Sequence, residues 1–190
     1  MIDEEEEVVL VDEHDQPLGT HRKLSAHRKA LRHRAFSVFL FNDAGEILLQ
    51  ARALSKYHCG GLWSNACCGH PRVGESSPMA AGRRLSEELG IAPALHEAGR
   101  IAYHADLSNG WYENEIVHLF TGRFDGAPHP DPAEVGDWRW VSPRALEEEY
   151  AETPGAFTPW FGIYLQTIPE VALAGRERLA VPVRRMGVAG

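Results

Sequence analysis

Residues 65–91 read NACCGHPRVGESSPMAAGRRLSEELGI, and no other stretch limits the fold of this chain as tightly. Gly69 is followed after five residues by Glu75; seven more lead to Arg83, and then come Leu85, Glu87, Glu88, Gly90 and Ile91. A helix is predicted inside the stretch, with Ser77 as its cap and Pro78 at the first helical position. Gly90 closes it as the left-handed residue beyond the end. At helical spacing Arg84 and Glu88 share one face, and Arg83 and Glu87 share the neighbouring one. A loop carrying Glu75 thus leads into a helix rich in carboxylates, which suits a hard, oxygen-seeking cation such as Mg2+. An isolated Glu-Glu pair would read as a solvated face with intrahelical ion pairs; the complete spacing turns the reading toward a site.

That spacing resembles the Nudix signature, G-x5-E-x7-R-E-U-x-E-E-x-G-U with U apolar. It departs at one fixed position, where Arg84 stands in place of glutamate. The resemblance implies an α/β fold, a Nudix-type α/β/α sandwich with a mixed sheet. It says less about the reaction, because function lives in the site rather than the fold.

The 190 residues are 44% hydrophobic and 24% charged, enough for a single globular domain over residues 1–190 with a core expected at about 31–165. The acidic run at residues 3–7 reads as a solvated tail, and the segment from Gly175 onward as a loose one. A net charge of −8 argues against nucleic acid or an anionic membrane as a partner. No apolar run reaches membrane-spanning length, and there is no signal-peptide pattern. Cys59, Cys67 and Cys68 make no disulfide framework, so a reduced, cytoplasmic setting is expected. The chain is expected to be a monomer or a weak homodimer.

Along the chain, residues 8–11 read as a strand and 12–19 as a turn, followed by a basic segment with His21, His27 and His33. Residues 35–41 (AFSVFLF) are a buried strand, turned by Asn42-Asp43-Ala44-Gly45 into residues 47–50 as a hairpin. A loop over 52–63 feeds one extended piece, 64–68. Strands follow at 99–106, 111–120 and 138–141. Helices are expected from Ser142-Pro143 to Glu149 and over 157–165.

Strand alternation points Glu113 and Glu115 the same way, with Tyr112, Asn114 and Ile116 on the other side. Two carboxylates about 7 Å apart by strand rise either repel at a surface or share a cation. If the piece at 64–68 continues extended, Cys68 and His70 have matching parity and Cys67 faces away. Cys67 then reads as a small buried hydrophobe and Cys68 as a pocket residue. His27, His33 and His70 are candidate ligands. Three imidazoles and two carboxylates would form a nitrogen–oxygen site suited to Mn2+, Mg2+ or Zn2+.

The chain further resembles the type 1 isopentenyl diphosphate isomerases. The resemblance rests on Arg52-Ala53-Leu54-Ser55-Lys56, Trp63-Ser64-Asn65, Cys68-Gly69-His70-Pro71, Gly74-Glu75-Ser76, Arg83-Arg84, Glu88-Leu89-Gly90, Glu113-Asn114-Glu115 and Phe157-Thr158-Pro159-Trp160. The second arginine, Arg84, fits these isomerases. The resemblance implies a metal-dependent enzyme that moves a double bond between isopentenyl and dimethylallyl diphosphate. It implies that His27, His33, His70, Glu113 and Glu115 bind Mn2+ or Zn2+. Glu88 and the backbone carbonyl of Cys68 would hold a Mg2+ that arrives with the small-molecule diphosphate. Cys68 and Glu115 would be the acid–base pair, assisted by Tyr103. Lys23, Arg52, Lys56 and Arg84 would grip the diphosphate, and Trp160 would face the hydrocarbon. His21 competes with His27 for the first ligand position, because the spacing of six from His27 to His33 is one shorter than in some members of that family. Two other readings stand beside this one. One is a Nudix pyrophosphohydrolase acting on a nucleoside diphosphate derivative through Glu75, Glu87 and Glu88. The other is a non-catalytic metal- or nucleotide-binding module.

Overall fold

The continuous apolar run AFSVFLF forms the middle of β3 (His33–Phe41), a strand buried on both faces. Its side chains alternate between two cores. Ala35, Phe39 and Phe41 join one cluster; Phe36, Val38 and Leu40 join the other. The computed structural model describes residues 6–174, and every strand in that range belongs to one mixed sheet.

β1 (Glu7–Val11) and β2 (Pro17–Arg22) form an antiparallel ribbon that reaches β3 at Leu10 and His33. α1 (Lys23–Arg28) follows directly. The sequence had offered a turn up to residue 19 and a basic segment. Instead the exposed, non-alternating PLGTHR pairs with β1, so partner strand overrides local propensity. Asp15 in the intervening turn, 8% exposed, accepts from Arg34 at 2.7 Å, Arg100 at 3.2 Å and His118 at 2.8 Å. This anchors the ribbon to the sheet.

The expected hairpin is narrow. β4 (Ile47–Arg52) meets β3 only at Phe41 and Ile47, then diverges to pair with β5 (Trp63–Asn65) and β9 (Val135–Val141). The single extended piece foreseen at 64–68 is also two strands. β5 pairs with β4, and β6 (Cys67–Gly69) pairs antiparallel with β3. The Asn65 side chain bridges the gap, donating to Val38 O at 2.9 Å and Cys67 O at 3.0 Å. β7 (Leu95–Asp106) and β8 (Tyr112–Arg123) form a long antiparallel pair, and β8 runs parallel to β3.

α2 (Ser77–Leu89) covers one face through Ala80, Ala81, Leu85 and Leu89. Its cap differs from expectation: Ser76 holds the cap position without a side-chain hydrogen bond, and Ser77 is already helical. Gly90 does end it in the left-handed conformation, φ 65°, where a Cβ would meet His129 O at 2.7 Å. The other face is covered by α4 (Pro159–Thr167) and α5 (Pro169–Ala172), with Trp160, Phe161, Tyr164, Val171 and Ala172 in the core. α3 (Pro143–Glu152) is capped by Ser142, whose hydroxyl accepts from Ala145 N at 3.3 Å. The result is the expected α/β/α sandwich. The acidic run falls partly outside the described residues. Within them, Glu6 pairs with Lys23 and Glu7 opens β1, so these two residues belong to the fold rather than to a tail. The tail from Gly175 lies outside them.

Candidate active site

The register of two strands brings the scattered polar residues together. In the parallel β3–β8 pair, His33 lies opposite Glu115; in the β3–β6 pair, Ser37 lies opposite Cys68. His70 follows β6 directly. Its Nε2 is 2.9 Å from Glu115 Oε1 and 3.1 Å from His33 Nε2. His33 Nε2 lies 3.4 Å from the same oxygen, Glu115 Oε1. His27, on α1, brings Nε2 to 3.3 Å from Glu113 Oε2. Glu113 and Glu115 share the face that alternation assigned them, while Asn114 points away and donates to Ala30 O at 2.8 Å. His21 is not among these groups; its Nε2 bonds Ser25 Oγ at 3.0 Å.

These donors fit a cation of the nitrogen–oxygen class. His27 Nδ1 lies 2.8 Å from Lys23 O, and His33 Nδ1 lies 2.8 Å from Leu31 O. A carbonyl can only accept, so each Nδ1 carries the proton and each Nε2 presents its lone pair inward. His27 Nε2 and Glu113 Oε2 are buried with no hydrogen-bond partner, an uncommon arrangement. One donor atom each from His27, His33, His70 and Glu115 lie within 4.8 Å of one another; so do donors from His27, His58 and Glu113. Ligand bonds of about 2.1 Å at right angles would set donors about 3 Å apart, close to the separations above. Sequence reading missed His58. It sits in a loop, where strand parity gives no orientation, and a lone histidine carries no spacing signal.

Burial and neighbouring groups compete over the protonation of the ligand set: for His27 burial acts downward, but Glu113 beside it lifts the imidazole above its ordinary value. Burial pushes His70 down to about 3 against the pull of Glu115, and His58 down to about 2 with help from Arg52. Both are therefore neutral imidazoles. Burial, with Glu115 beside it, lifts Glu113 to about 7. For Glu115 burial acts upward too, but the neighbouring His33 and His70 hold it well below the carboxylate range.

Cys68 and Cys67 separate as their parity predicts. Cys67 is fully buried in the cluster beneath α2, and Cys68 packs against the opposite core. Cys68 Sγ lies 3.2 Å from both Asn65 Oδ1 and Ser37 Oγ. Burial lifts its thiol to about 11, against those hydrogen bonds. Tyr103 donates to Glu115 Oε2 at 2.7 Å, and Trp160 Nε1 donates to Ser64 Oγ at 3.0 Å. Cys68, Tyr103, Glu115 and Trp160 all line one cleft of about 680 Å3.

The four cations also line this cleft. Lys23 Nζ is 2.9 Å from Glu6 Oε2, and the Arg52 guanidinium lies 5.4 Å from the Trp160 ring centre. Lys56 pairs with Glu134, which also accepts from Arg84 at 2.8 Å. Arg84 further bonds Glu88 at 2.6 Å and Glu87 at 2.7 Å. Glu134, missed in the sequence because it follows a Pro-rich loop, thus ties two of the four cations together. Glu88, 6% exposed, accepts from Gln50 Nε2 at 3.0 Å. Arg83 holds Glu75 at 2.8 Å and Glu87 at 3.0 Å. Each carboxylate of the signature helix and its loop is therefore paired with arginine.

The NUDIX domain family matches residues 31–161. An isopentenyl-diphosphate Delta-isomerase of Burkholderia multivorans is 52% identical over 157 residues, covering 83% of this chain and 89% of that protein. Isopentenyl-diphosphate Delta-isomerase 1 of Aromatoleum aromaticum is 45% identical, covering 93% of this chain and 99% of that one. Among solved structures, DR0079 of Deinococcus radiodurans superposes with a TM-score of 0.65 at 22% identity, over 77% of this chain and 90% of that one. A MutT NUDIX hydrolase of Burkholderia pseudomallei gives 0.57 at 23%, over 72% and 98%. These two structures share the fold.

Proposed function

This chain belongs to the NUDIX domain family and, within it, to the isopentenyl-diphosphate Delta-isomerases; from that premise we propose how its own residues do the work. The enzyme interconverts isopentenyl and dimethylallyl diphosphate, a step of isoprenoid biosynthesis. A proton adds to the terminal methylene, leaving a tertiary cation, and a proton leaves the methylene on the diphosphate side. One proton enters and one departs, so no redox partner is needed.

In this reading Cys68 and Glu115 are the acid–base pair. A thiol lifted to about 11 keeps its proton at neutral pH, and a carboxylate held low is ionised there, so the pair rests with one proton to give and one site to take it. Tyr103 fixes the second oxygen of Glu115 and orients it. Trp160, pinned through its indole N–H to Ser64, turns an electron-rich face to the cation and helps keep water out. Lys23, Arg52, Lys56 and Arg84 bind the diphosphate, a local basic cluster on a chain of net charge −8. His27, His33, His70, Glu113 and Glu115 would hold Mn2+ or Zn2+, and Glu88 with the Cys68 carbonyl would hold Mg2+. When bound, these ions supply charge that stabilises the diphosphate and the ionised carboxylate. The observation that carries the reading is Glu115 itself, bonded at one oxygen to His70 and at the other to Tyr103. The arginine-paired Glu75, Glu87 and Glu88 are the feature a hydrolase would share.

Turnover in D2O tests it. Isopentenyl diphosphate should become dimethylallyl diphosphate with deuterium in the hydrocarbon part and no phosphate released. Phosphate release without deuterium uptake would make the enzyme a hydrolase.

A further inference from the structure

The two donor groups share His27. One contains His33, His70 and Glu115; the other contains His58 and Glu113. Three imidazoles and two monodentate carboxylates leave one position open on an ion of octahedral preference such as Mn2+. His58 stands on the His27–Glu113 side of the cluster. Its side chain is 7% exposed, its Nε2 lies 3.7 Å from Glu113 Oε1, and its ring centre is 6.0 Å from that of His27. A distance of 3.7 Å is too long for a hydrogen bond. It is short enough for two donors to share an ion. Nδ1 is buried without any hydrogen-bond partner, as are His27 Nε2 and Glu113 Oε2. Two orphaned ligand atoms, His27 Nε2 and Glu113 Oε2, beside the Nε2 of a third buried side chain are not what a packing role leaves behind.

The loop around His58 is built to keep it there. Arg52 N donates to Leu62 O at 3.0 Å and Gly61 N to Arg52 O at 2.9 Å, which close the loop at its base. Lys56 N donates to Ala53 O at 3.1 Å within it. At Gly60 a Cβ would meet Leu54 O at 2.8 Å, so the backbone folds back on itself tightly. The His58 ring is wedged edge-on between Tyr57, with centres 4.3 Å apart, and Trp160, 5.7 Å apart.

We propose that His58 is a further ligand of the His/Glu metal ion, and that it ties the loop carrying Lys56 to that ion. Loading the metal then orders a diphosphate-binding side chain two residues away, so that site assembly and substrate grip are coupled. The inference rests on the ion proposed above for His27, His33, His70, Glu113 and Glu115.

Full-length protein freed of metal with chelator is reloaded with Mn2+, and its affinity is measured by competition with a fluorescent chelator. His58→Gln should bind Mn2+ about tenfold or more weakly; His96→Ala, at an exposed site on β7, should match wild type. Pulsed EPR of Mn2+-loaded wild type should count four coordinated imidazoles. Hydrogen exchange across residues 53–62 should slow on loading in wild type and stay unchanged in His58→Gln. Three imidazoles in wild type, or unchanged affinity in His58→Gln, would overturn the role of His58 and leave the five-residue site standing. No Mn2+ uptake by wild type would bring down the five-residue site, and His58 with it. Should His58→Gln not fold, the nitrogen count in wild type decides.

Discussion

Cys67 and Cys68 are adjacent and chemically identical, yet they lie in different environments, the first buried and the second half-buried. Cys67 points under α2 into an apolar cluster, and burial lifts its thiol well above the usual range. Cys68 points to the other face, where Asn65 and Ser37 hydrogen-bond its sulfur and the cleft lies open to it. Cys68→Ala should therefore lose activity by a factor of about 100 or more, the range for an acid–base group. Its thermal midpoint should stay near wild type. Cys67→Ala should keep most of its turnover and lose roughly 1 kcal/mol of stability through lost packing. Steady-state kinetics and a melt on each variant check this; equal loss of activity from both would mean that strand parity does not sort them. The same parity placed Glu113 and Glu115 on one face. It is a strong guide wherever a residue sits on a strand, and it is silent for His58 and Glu134, which sit on loops.

At the scale of elements, the turn of the β1–β2 ribbon is anchored to the sheet by one carboxylate. Asp15 joins Arg34 on β3, Arg100 on β7 and His118 on β8. Burial acts to raise its pKa, but hydrogen bonds from His118 and Arg34 hold it below the ordinary value. A depressed carboxylate contributes stability that is fully present above the unfolded value of about 3.9 and is lost as pH falls through the folded value. Asp15→Asn keeps a side chain that tolerates the left-handed backbone at this turn, φ 65°. It should cost about 2–3 kcal/mol near pH 7. That is below the ~3–5 kcal/mol of a fully buried pair, because Arg100 is half exposed. The gap between variant and wild type should close as pH drops below about 4. Urea melts from pH 7 to pH 3 measure it, and a gap independent of pH would remove Asp15 from this role. Of the ribbon, β1 was legible as a strand at residues 8–11 and β2 was not. PLGTHR carries no alternation of its own and becomes a strand because β1 offers it an edge.

Across the whole molecule, the proposed metal donors come from α1, β8, the start of β3 and the turn after β6. An ion held by all of them would cross-link segments far apart in sequence, and binding the folded state alone stabilises it by mass action. At a hundredfold excess over Kd that is about 2.7 kcal/mol, or roughly 5–10 °C in the melting midpoint for a chain of this size. Calorimetry with Mn2+ or Zn2+, then with EDTA, should show that rise and its reversal. An unchanged midpoint would mean that the cluster holds no ion in the folded protein. Several features of this protein follow from the sequence alone. The glycine-to-isoleucine spacing at 69–91 specifies α2 with its left-handed stop, and AFSVFLF specifies a central strand. Strict alternation assigns Glu113 and Glu115 to one face and splits Cys67 from Cys68. These are local properties, fixed by backbone periods of 3.6 and 2 residues. What tertiary structure alone decided is which distant residues meet. Parallel pairing of β3 with β8 sets His33 against Glu115; α1 brings His27, not His21, to Glu113; and closed loops swing His58 and Glu134 into the cleft. No local period encodes those contacts, because strand register and loop closure are chosen by the packing of the two cores on either side of the sheet.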